Sequence, residues 1–201
     1  MTFWGIGETV RVHFSGMIAL FAVLIPFFLS LVRARGARGV EAAGSGASSL
    51  SRIGILIQMV GFAAVGFGPV TMQMGWPEAP RALLAALAAL FSLLAYLLFH
   101  RSRLALAQNW SIVARTRGDH QLVTTGPYAL VRHPIYVALF GWMLAMAAAM
   151  GHLAALKIAV PLYVVGMLIR TREEERLLGA LFGADYDAYA ARVKRFIPFL
   201  V

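Results

Sequence analysis

The chain has 201 residues, of which 60% are hydrophobic and only 13% are charged. Soluble domains are about half apolar and a quarter charged, so this composition excludes an ordinary soluble protein and indicates an integral membrane protein. The net charge of +9 would raise the question of nucleic acid in a soluble protein, but here the charges lie between apolar runs. We therefore expect no nucleic-acid partner, and the lack of cysteine excludes disulfides and a thiol nucleophile.

Five apolar runs approach the length of about 20 residues that a helix needs to cross a bilayer. They are Phe14 to Val32, Ile53 to Met74, Ala82 to Phe99, Pro134 to Met150 and Leu153 to Ile169. The fold class that we predict is therefore all-α: a polytopic transmembrane protein of about five helices, followed by a C-terminal amphipathic helix. Pro69 is expected to kink the second span. The first run is interpreted as a retained span, because no cleavable signal pattern accompanies it.

The connections divide the chain into two predicted units. Residues 1–99 would hold three N-terminal spans, with a flexible Gly/Ser/Ala-rich loop at residues 33–52. Residues 100–201 would form a core made of a polar loop, a helical hairpin over residues 134–169 and the amphipathic helix. Fifteen of the 18 basic residues fall on one side of this arrangement, which predicts that this side is cytoplasmic and that the N-terminus lies outside.

Polar, aromatic and turn-forming residues concentrate in the stretch from His120 to Tyr136, HQLVTTGPYALVRHPIY. Gly126-Pro127 predicts a turn, and His133-Pro134 predicts a helix start, because proline suits the first helical position. Its two tyrosines could still be ordinary interfacial aromatics. No metal-ligand spacing such as His-x-x-x-His is present, so we predict no metal site.

Gly151-His152 joins the fourth and fifth runs and predicts an antiparallel hairpin. Counted from this turn, His133 and Arg170 are each 18.5 residues away, so both should return to the same depth. Glu174 follows one helical turn beyond Arg170, whereas Glu175 points about 100° to one side. The alternative is that the run RTREEER is merely the solvated end of a span.

The strings LVTTGPYALVRHPIY, RTREEERLL and FGADYDAYAARVKRFIP, in this order around an apolar hairpin, resemble the isoprenylcysteine carboxyl methyltransferase family and its bacterial relatives, which include phospholipid methyltransferases. The resemblance covers roughly residues 100–198, and the first two spans carry no family motif. It implies a membrane enzyme that uses S-adenosylmethionine, releases S-adenosylhomocysteine and needs no metal. A bacterial inner membrane is the expected location, with the active site facing the cytoplasm.

The resemblance also implies roles for individual residues. Arg170 would be catalytic and would bind the substrate carboxylate, and Glu175 would be the natural partner if the acceptor were an amine. The residues implied to contact the cofactor are His120, Gln121, Leu122, Val123, Tyr128, His133, Pro134, Ile135, Tyr136 and Glu174.

The first expectation for the methyl acceptor is a lipidic, isoprenylcysteine-like carboxylate. The protein would take this acceptor from among the membrane lipids. Methylation of a phospholipid amine, a thiol or another small hydrophobic acceptor is the nearest alternative. A non-catalytic membrane protein and a nicotinamide-dependent reductase are alternatives of other classes. The sequence sets neither the acceptor nor the oligomeric state.

Overall fold

The structure is a computed structural model that describes residues 10–34, 48–67, 70–73, 78–107 and 121–200. Most of these residues are helical. The predicted all-α class is confirmed, apart from one pair of short strands. The helices are α1 (Phe14–Ala34), α2 (Ser49–Gly66), α3 (Ala79–Leu106), α4 (Pro134–Met150), α5 (Leu156–Phe182) and α6 (Ala184–Arg192). The strands are β1 (Val10–His13) and β2 (Val70–Gln73).

The ends of α4 coincide with those predicted from the sequence. Pro134 occupies the first helical position, where a missing N–H costs no helical hydrogen bond. At the other end Gly151 caps the helix with φ +67°, a left-handed conformation that glycine adopts without strain. Gly126, with φ +62°, similarly opens the predicted turn, which is a short 3₁₀ helix over Gly126–Ala129.

Among the described residues, three helices are long and apolar enough to cross a membrane: α2, α3 and the helical segment Leu153–Phe182. Two shorter apolar helical stretches, Phe14–Pro26 and α4, accompany them. Large apolar side chains are exposed along the outer faces, which water would not favour but lipid would. The chain is accordingly an integral membrane protein, while the count of five spans stays a prediction.

The second predicted span is wrong in its last part. α2 ends at Gly66, and Phe67 is already extended with φ −92° and ψ 128°. β2 follows and pairs in parallel with β1, with Val10 opposite Val70 and His13 opposite Gln73. An apolar run does not by itself distinguish a helix from a strand, which explains the error. Pro69, the greater part of the predicted loop (residues 35–47) and residues 74–77 lie outside the described residues.

The helices on either side of the site are longer than predicted. α3 passes Phe99 and continues to Leu106, so the polar connection starts later. α5 runs without a break through the RTREEER segment to Phe182. Gly183, with φ +52°, then separates it from α6. The single amphipathic helix predicted from the sequence is therefore the end of α5 followed by α6.

The two arms of the predicted hairpin pack mainly against other helices rather than against each other. α5 lies along α2, whereas α4 lies along α3, which also packs against α1. One core, which includes Phe99 and Trp142, joins α1, α3 and α4. A second core, which includes Met143 and Tyr163, joins α2, α4 and α5. The N-terminal helices are thus part of the scaffold that holds the hairpin.

Two glycines allow α2 and α5 to approach closely. A Cβ added at Gly166 would lie 2.6 Å from the carbonyl oxygen of Gly54 and 2.8 Å from Cγ of Gln58. A Cβ added at Gly54 would lie 2.5 Å from Cγ of Arg170. All three distances are shorter than van der Waals contact, so these positions require glycine.

We predict that Gly166→Ala destabilises the protein, although alanine favours a helix over glycine by about 1 kcal/mol. Overpacking against the α2 backbone should cost about 1–3 kcal/mol and lower the midpoint of thermal unfolding in detergent. Gly141→Ala is the matched control, because its added Cβ would meet Ala95 at an ordinary 3.5 Å. Equal midpoints for the two variants would contradict the close crossing of α2 and α5.

Candidate active site

The site begins in the loop that precedes α4, where Tyr128 is buried in the 3₁₀ turn. The hydroxyl of Tyr189, on α6, donates a hydrogen bond of 2.7 Å to the backbone carbonyl of Tyr128. Burial, followed by the nearby charge of Glu174, raises the pKa of Tyr128 well above its usual value. Tyr128 is therefore a neutral phenol close to the carboxylates on α5.

Glu174 is the carboxylate of α5 that faces α4. The hydroxyl of Tyr136 donates a hydrogen bond to Oε1 of Glu174, and Nδ1 of His133 lies 3.6 Å from Oε2. The side chain of Glu174 is nevertheless 27% exposed. This carboxylate is thus oriented from two sides, and its side chain is only partly buried.

Glu175, the next residue, is held by three nitrogen-bearing side chains. Arg132 approaches it at 3.0 Å, Arg195 at 2.6 Å and Nε2 of His133 at 3.1 Å. Both ring nitrogens of His133 therefore face glutamates. Burial lowers the pKa of His133, but the hydrogen bonds and charges of Glu174 and Glu175 outweigh burial, so that its pKa is raised. The ring consequently links the two carboxylates, and their presence favours its protonated form.

The segment after α6 closes one side of this cluster. The backbone N–H groups of Arg132 and His133 donate to the carbonyls of Lys194 at 2.7 Å and Arg195 at 3.0 Å. The ring of Phe196 lies 5.8 Å from that of His133, measured between centroids. The loop before α4 is thus tied to the tail residues by backbone as well as side-chain contacts.

Arg170 lies one helical turn deeper than this cluster. Its Cζ is 5.0 Å from the centroid of the Tyr136 ring, a cation–π distance. Its Nη1 donates a hydrogen bond of 3.0 Å to Oε1 of Gln58 on α2. Together with Gln58, the side chains of Arg170, Tyr136 and Glu174 therefore form one continuous group that bridges α2, α4 and α5.

The predicted meeting of His133 with Arg170 is off by one turn, since Arg170 contacts Tyr136 whereas His133 contacts the glutamates. The turn is longer than the two residues assumed, because α4 ends at Met150 and α5 starts at Leu156. Counted from the midpoint at residue 153, Tyr136 and Arg170 are each 17 residues away. The counting principle holds once the midpoint is corrected.

The other residues implied as cofactor contacts differ in their surroundings. Gln121 is exposed, and Leu122 and Val123 are partly buried, in a stretch without regular secondary structure ahead of the turn. Pro134 is fully buried, and Ile135 packs against the core of α1, α3 and α4. His120 lies outside the described residues. The cofactor roles of all these residues stay predictions.

Sequence reasoning missed three side chains that shape the site: Arg132 and Arg195, which hold Glu175, and Gln58, which holds Arg170. The sequence places Arg132 and Arg195 on the predicted cytoplasmic side but predicts no partner for either of them. Gln58 had a usable signal, because an amide within an apolar span is costly unless it has a role. Within the described part of the chain, no group of three His, Asp or Glu side chains is suited to a metal ion.

Fold and site together define a helical membrane protein with a polar site at one end of a helical hairpin. Residues 87–180 match the model of the isoprenylcysteine carboxyl methyltransferase (ICMT) family. The resemblance inferred from the sequence motifs is confirmed over this range. The match includes His133, Tyr136, Arg170 and Glu174, whereas Gln58 and Arg195 fall outside it.

Several curated proteins are similar to part of the chain. A protein-S-isoprenylcysteine O-methyltransferase of Schizosaccharomyces pombe is 37% identical over 90 residues, which cover 44% of this chain and 38% of the relative. The human protein of that name is 33% identical over 98 residues, which cover 44% of this chain and 32% of the relative. The nickel-cobalt-cadmium resistance protein NccN of Alcaligenes xylosoxydans xylosoxydans is also 33% identical over 82 residues, which cover 41% of this chain and 38% of the relative. The chain thus spans less than two fifths of the length of these relatives.

Proposed function

We propose that this protein is an integral-membrane methyltransferase that uses S-adenosylmethionine to methylate the carboxylate of a lipidic, isoprenylcysteine-like acceptor. The observation that carries the proposal is the placement of Glu174 and Arg170 on either side of Tyr136. An oriented carboxylate suits a cationic, hydroxyl-rich cofactor, and a guanidinium suits an anionic acceptor. The relatives named protein-S-isoprenylcysteine O-methyltransferase support a prenylated acceptor.

The residues present fit S-adenosylmethionine, whose ammonium group and ribose hydroxyls are hydrogen-bond donors that an oriented carboxylate can accept from. Tyr136 and His133 hold Glu174 in one orientation while part of its side chain stays exposed. We assign Glu174 to the cofactor and His133 to positioning Glu174. Tyr128, Tyr136 and the segment from His120 to Val123 complete the set of candidate contacts. When bound, S-adenosylmethionine supplies the methyl group and leaves as S-adenosylhomocysteine.

Arg170 is assigned to the acceptor carboxylate. A guanidinium binds both carboxylate oxygens through a fork of N–H donors and so fixes the direction in which an oxygen points. The contacts with Gln58 and Tyr136 restrict the guanidinium to one region of the site. Because a carboxylate oxygen has no proton to lose, alignment and exclusion of water can supply the catalysis without a general base.

Glu175 supports a carboxylate acceptor rather than an amine. An amine acceptor needs a group that removes a proton, and Glu175 is the residue expected for that role. Its oxygens, however, already accept hydrogen bonds from Arg132, His133 and Arg195. A carboxylate engaged in this way stabilises the loop and the tail and is poorly placed to take up another proton.

The location and organisation of the protein follow the distribution of charge. We place the N-terminus outside and the site on the cytoplasmic side, because fifteen of the 18 basic residues fall on that side of the predicted five-span arrangement. A bacterial inner membrane is proposed from the resemblance to the bacterial relatives of the family. Residues 1–99 are proposed as an N-terminal unit and residues 100–201 as the methyltransferase core.

The decisive experiment incubates membranes that contain the protein with methyl-labelled S-adenosylmethionine and N-acetyl-S-farnesylcysteine as the acceptor. The corresponding carboxamide is the control acceptor, since it keeps the lipid chain but lacks the anionic oxygens. We expect label in the acid and not in the amide, and release of the label by mild base, which cleaves a methyl ester.

Other outcomes separate the alternatives. Base-stable label in endogenous lipid would indicate methylation of nitrogen or sulfur and would overturn the choice of acceptor. Absence of both transfer and cofactor binding in purified protein would favour a non-catalytic membrane protein. Binding of a nicotinamide dinucleotide in place of S-adenosylmethionine would favour a reductase.

A further inference from the structure

Gln58 is a polar residue buried in the middle of α2. Gln58 is 5% exposed. It lies outside residues 87–180, the segment that matches the family model. Its Oε1 accepts the hydrogen bond of 3.0 Å from Nη1 of Arg170. Within the described residues, its Nε2 is buried and has no hydrogen-bond partner.

This half-satisfied amide is energetically costly. Burying a polar group without a hydrogen bond costs about 1–3 kcal/mol by mutational measures, and more in a medium that offers no partners. An apolar side chain of similar size would avoid the penalty at Nε2, although it would remove the acceptor for Arg170. The retained amide therefore points to a requirement for a second partner at Nε2.

The backbone around Gln58 is arranged to bring its amide to Arg170. Gly54 and Gly166 let the two helices cross closely, and a side chain at either position would strike the other helix. At Gly166 an added Cβ would lie 2.8 Å from Cγ of Gln58 itself. The crossing thus presses the Gln58 side chain against the turn of α5 that ends in Arg170.

The geometry points to Gln58 as the second member of the acceptor subsite. We infer that its Oε1 orients the guanidinium of Arg170 and that its Nε2 donates a hydrogen bond to the same acceptor carboxylate. Because the amide is neutral, it orients Arg170 without contributing a negative charge that would compete with the acceptor. This inference rests on the proposed function, and it gives α2 a part in substrate recognition.

The test compares Gln58→Glu and Gln58→Met with the wild type, using labelled S-adenosylmethionine and N-acetyl-S-farnesylcysteine. Glutamate keeps the size and the acceptor for Arg170 but removes the N–H donors and adds a negative charge. Methionine keeps the length and removes both hydrogen bonds. We expect the KM for the farnesylated acid to rise about tenfold or more in both variants, and most in Gln58→Glu. Binding of S-adenosylhomocysteine should stay within about twofold.

Thr171→Val is the matched control, because it removes a buried hydrogen bond beside Arg170, from Oγ1 to the Leu168 carbonyl, without touching the site. Its KM should equal that of the wild type. A wild-type KM in both Gln58 variants would overturn the inference while leaving the proposed function intact. Absence of transfer by the wild-type protein would instead remove the proposed function.

A double-mutant cycle tests the contact without any activity. Gln58→Met, Arg170→Met and the double variant are compared by thermal unfolding in detergent. If Gln58 orients Arg170, the loss in the double variant is smaller than the sum of the two single losses. Additive losses would show that the two side chains act independently and would overturn the positioning role.

Discussion

Arg170→Met is expected to lower methyl transfer to the farnesylated acid on the order of 10²–10³-fold, while binding of S-adenosylhomocysteine stays within about twofold. Methionine has a similar length but cannot bind a carboxylate, so the acceptor loses the charged fork that orients its oxygens. Arg170 contacts Gln58 and Tyr136 rather than forming part of the Glu175 cluster. Single-turnover transfer and calorimetry with S-adenosylhomocysteine measure the two effects separately.

Arg172→Met is the matched control for this experiment. Arg172 lies two residues further along α5 and is exposed, so the substitution removes the same charge from the same helix on a different face. Its transfer rate should be close to that of the wild type. Comparable rates in Arg170→Met and the wild type would remove Arg170 from the acceptor site.

Glu174→Gln is expected to weaken binding of S-adenosylmethionine on the order of 10–100-fold. The substitution keeps the shape of the side chain and the hydrogen bond from the Tyr136 hydroxyl, but it removes the negative charge that we assign to binding the cofactor. Hydrogen bonds to charged groups contribute about 1.5–3 kcal/mol, which corresponds to this range of affinity. Calorimetry of the purified protein in detergent measures the dissociation constant directly.

Glu173→Gln serves as the isosteric control. Glu173 precedes Glu174 but pairs with Arg176 at 2.9 Å, away from Tyr136. Its cofactor affinity should match that of the wild type, although the protein loses an ion pair. Equal affinities in Glu174→Gln and the wild type would contradict the assignment of this carboxylate to the cofactor.

The parts of the site that depend on local chemistry could be predicted from the sequence. Pro134 and Gly151 mark the ends of α4, and Gly126 marks the turn, because each occupies a backbone position that its conformational preference favours. The order of residues along the hairpin then places Arg170 and Glu174 near the loop. These predictions needed only helical geometry and the properties of proline and glycine.

The parts that depend on packing between distant segments could not be predicted in this way. The strand at Val70–Gln73 was hidden in an apolar run, because burial in lipid and pairing in a sheet favour similar residues. The contact between Gln58 and Arg170 joins residues 112 positions apart and depends on the approach of α2 to α5. Gly54 and Gly166, one helical turn away from these residues, permit the approach, but nothing in the local sequence specifies that these two helices are the ones that meet.

The hydrogen bonds from Arg132 and His133 to Lys194 and Arg195 have a consequence for biosynthesis. Because the chain is made from its N-terminus, both arms of the hairpin leave the ribosome before the residues that pin the loop between α3 and α4. Arg195, the donor at 2.6 Å to Glu175, belongs to these last residues. The candidate site therefore reaches the arrangement seen in the structure only after the whole chain has been made and the tail has docked on the loop.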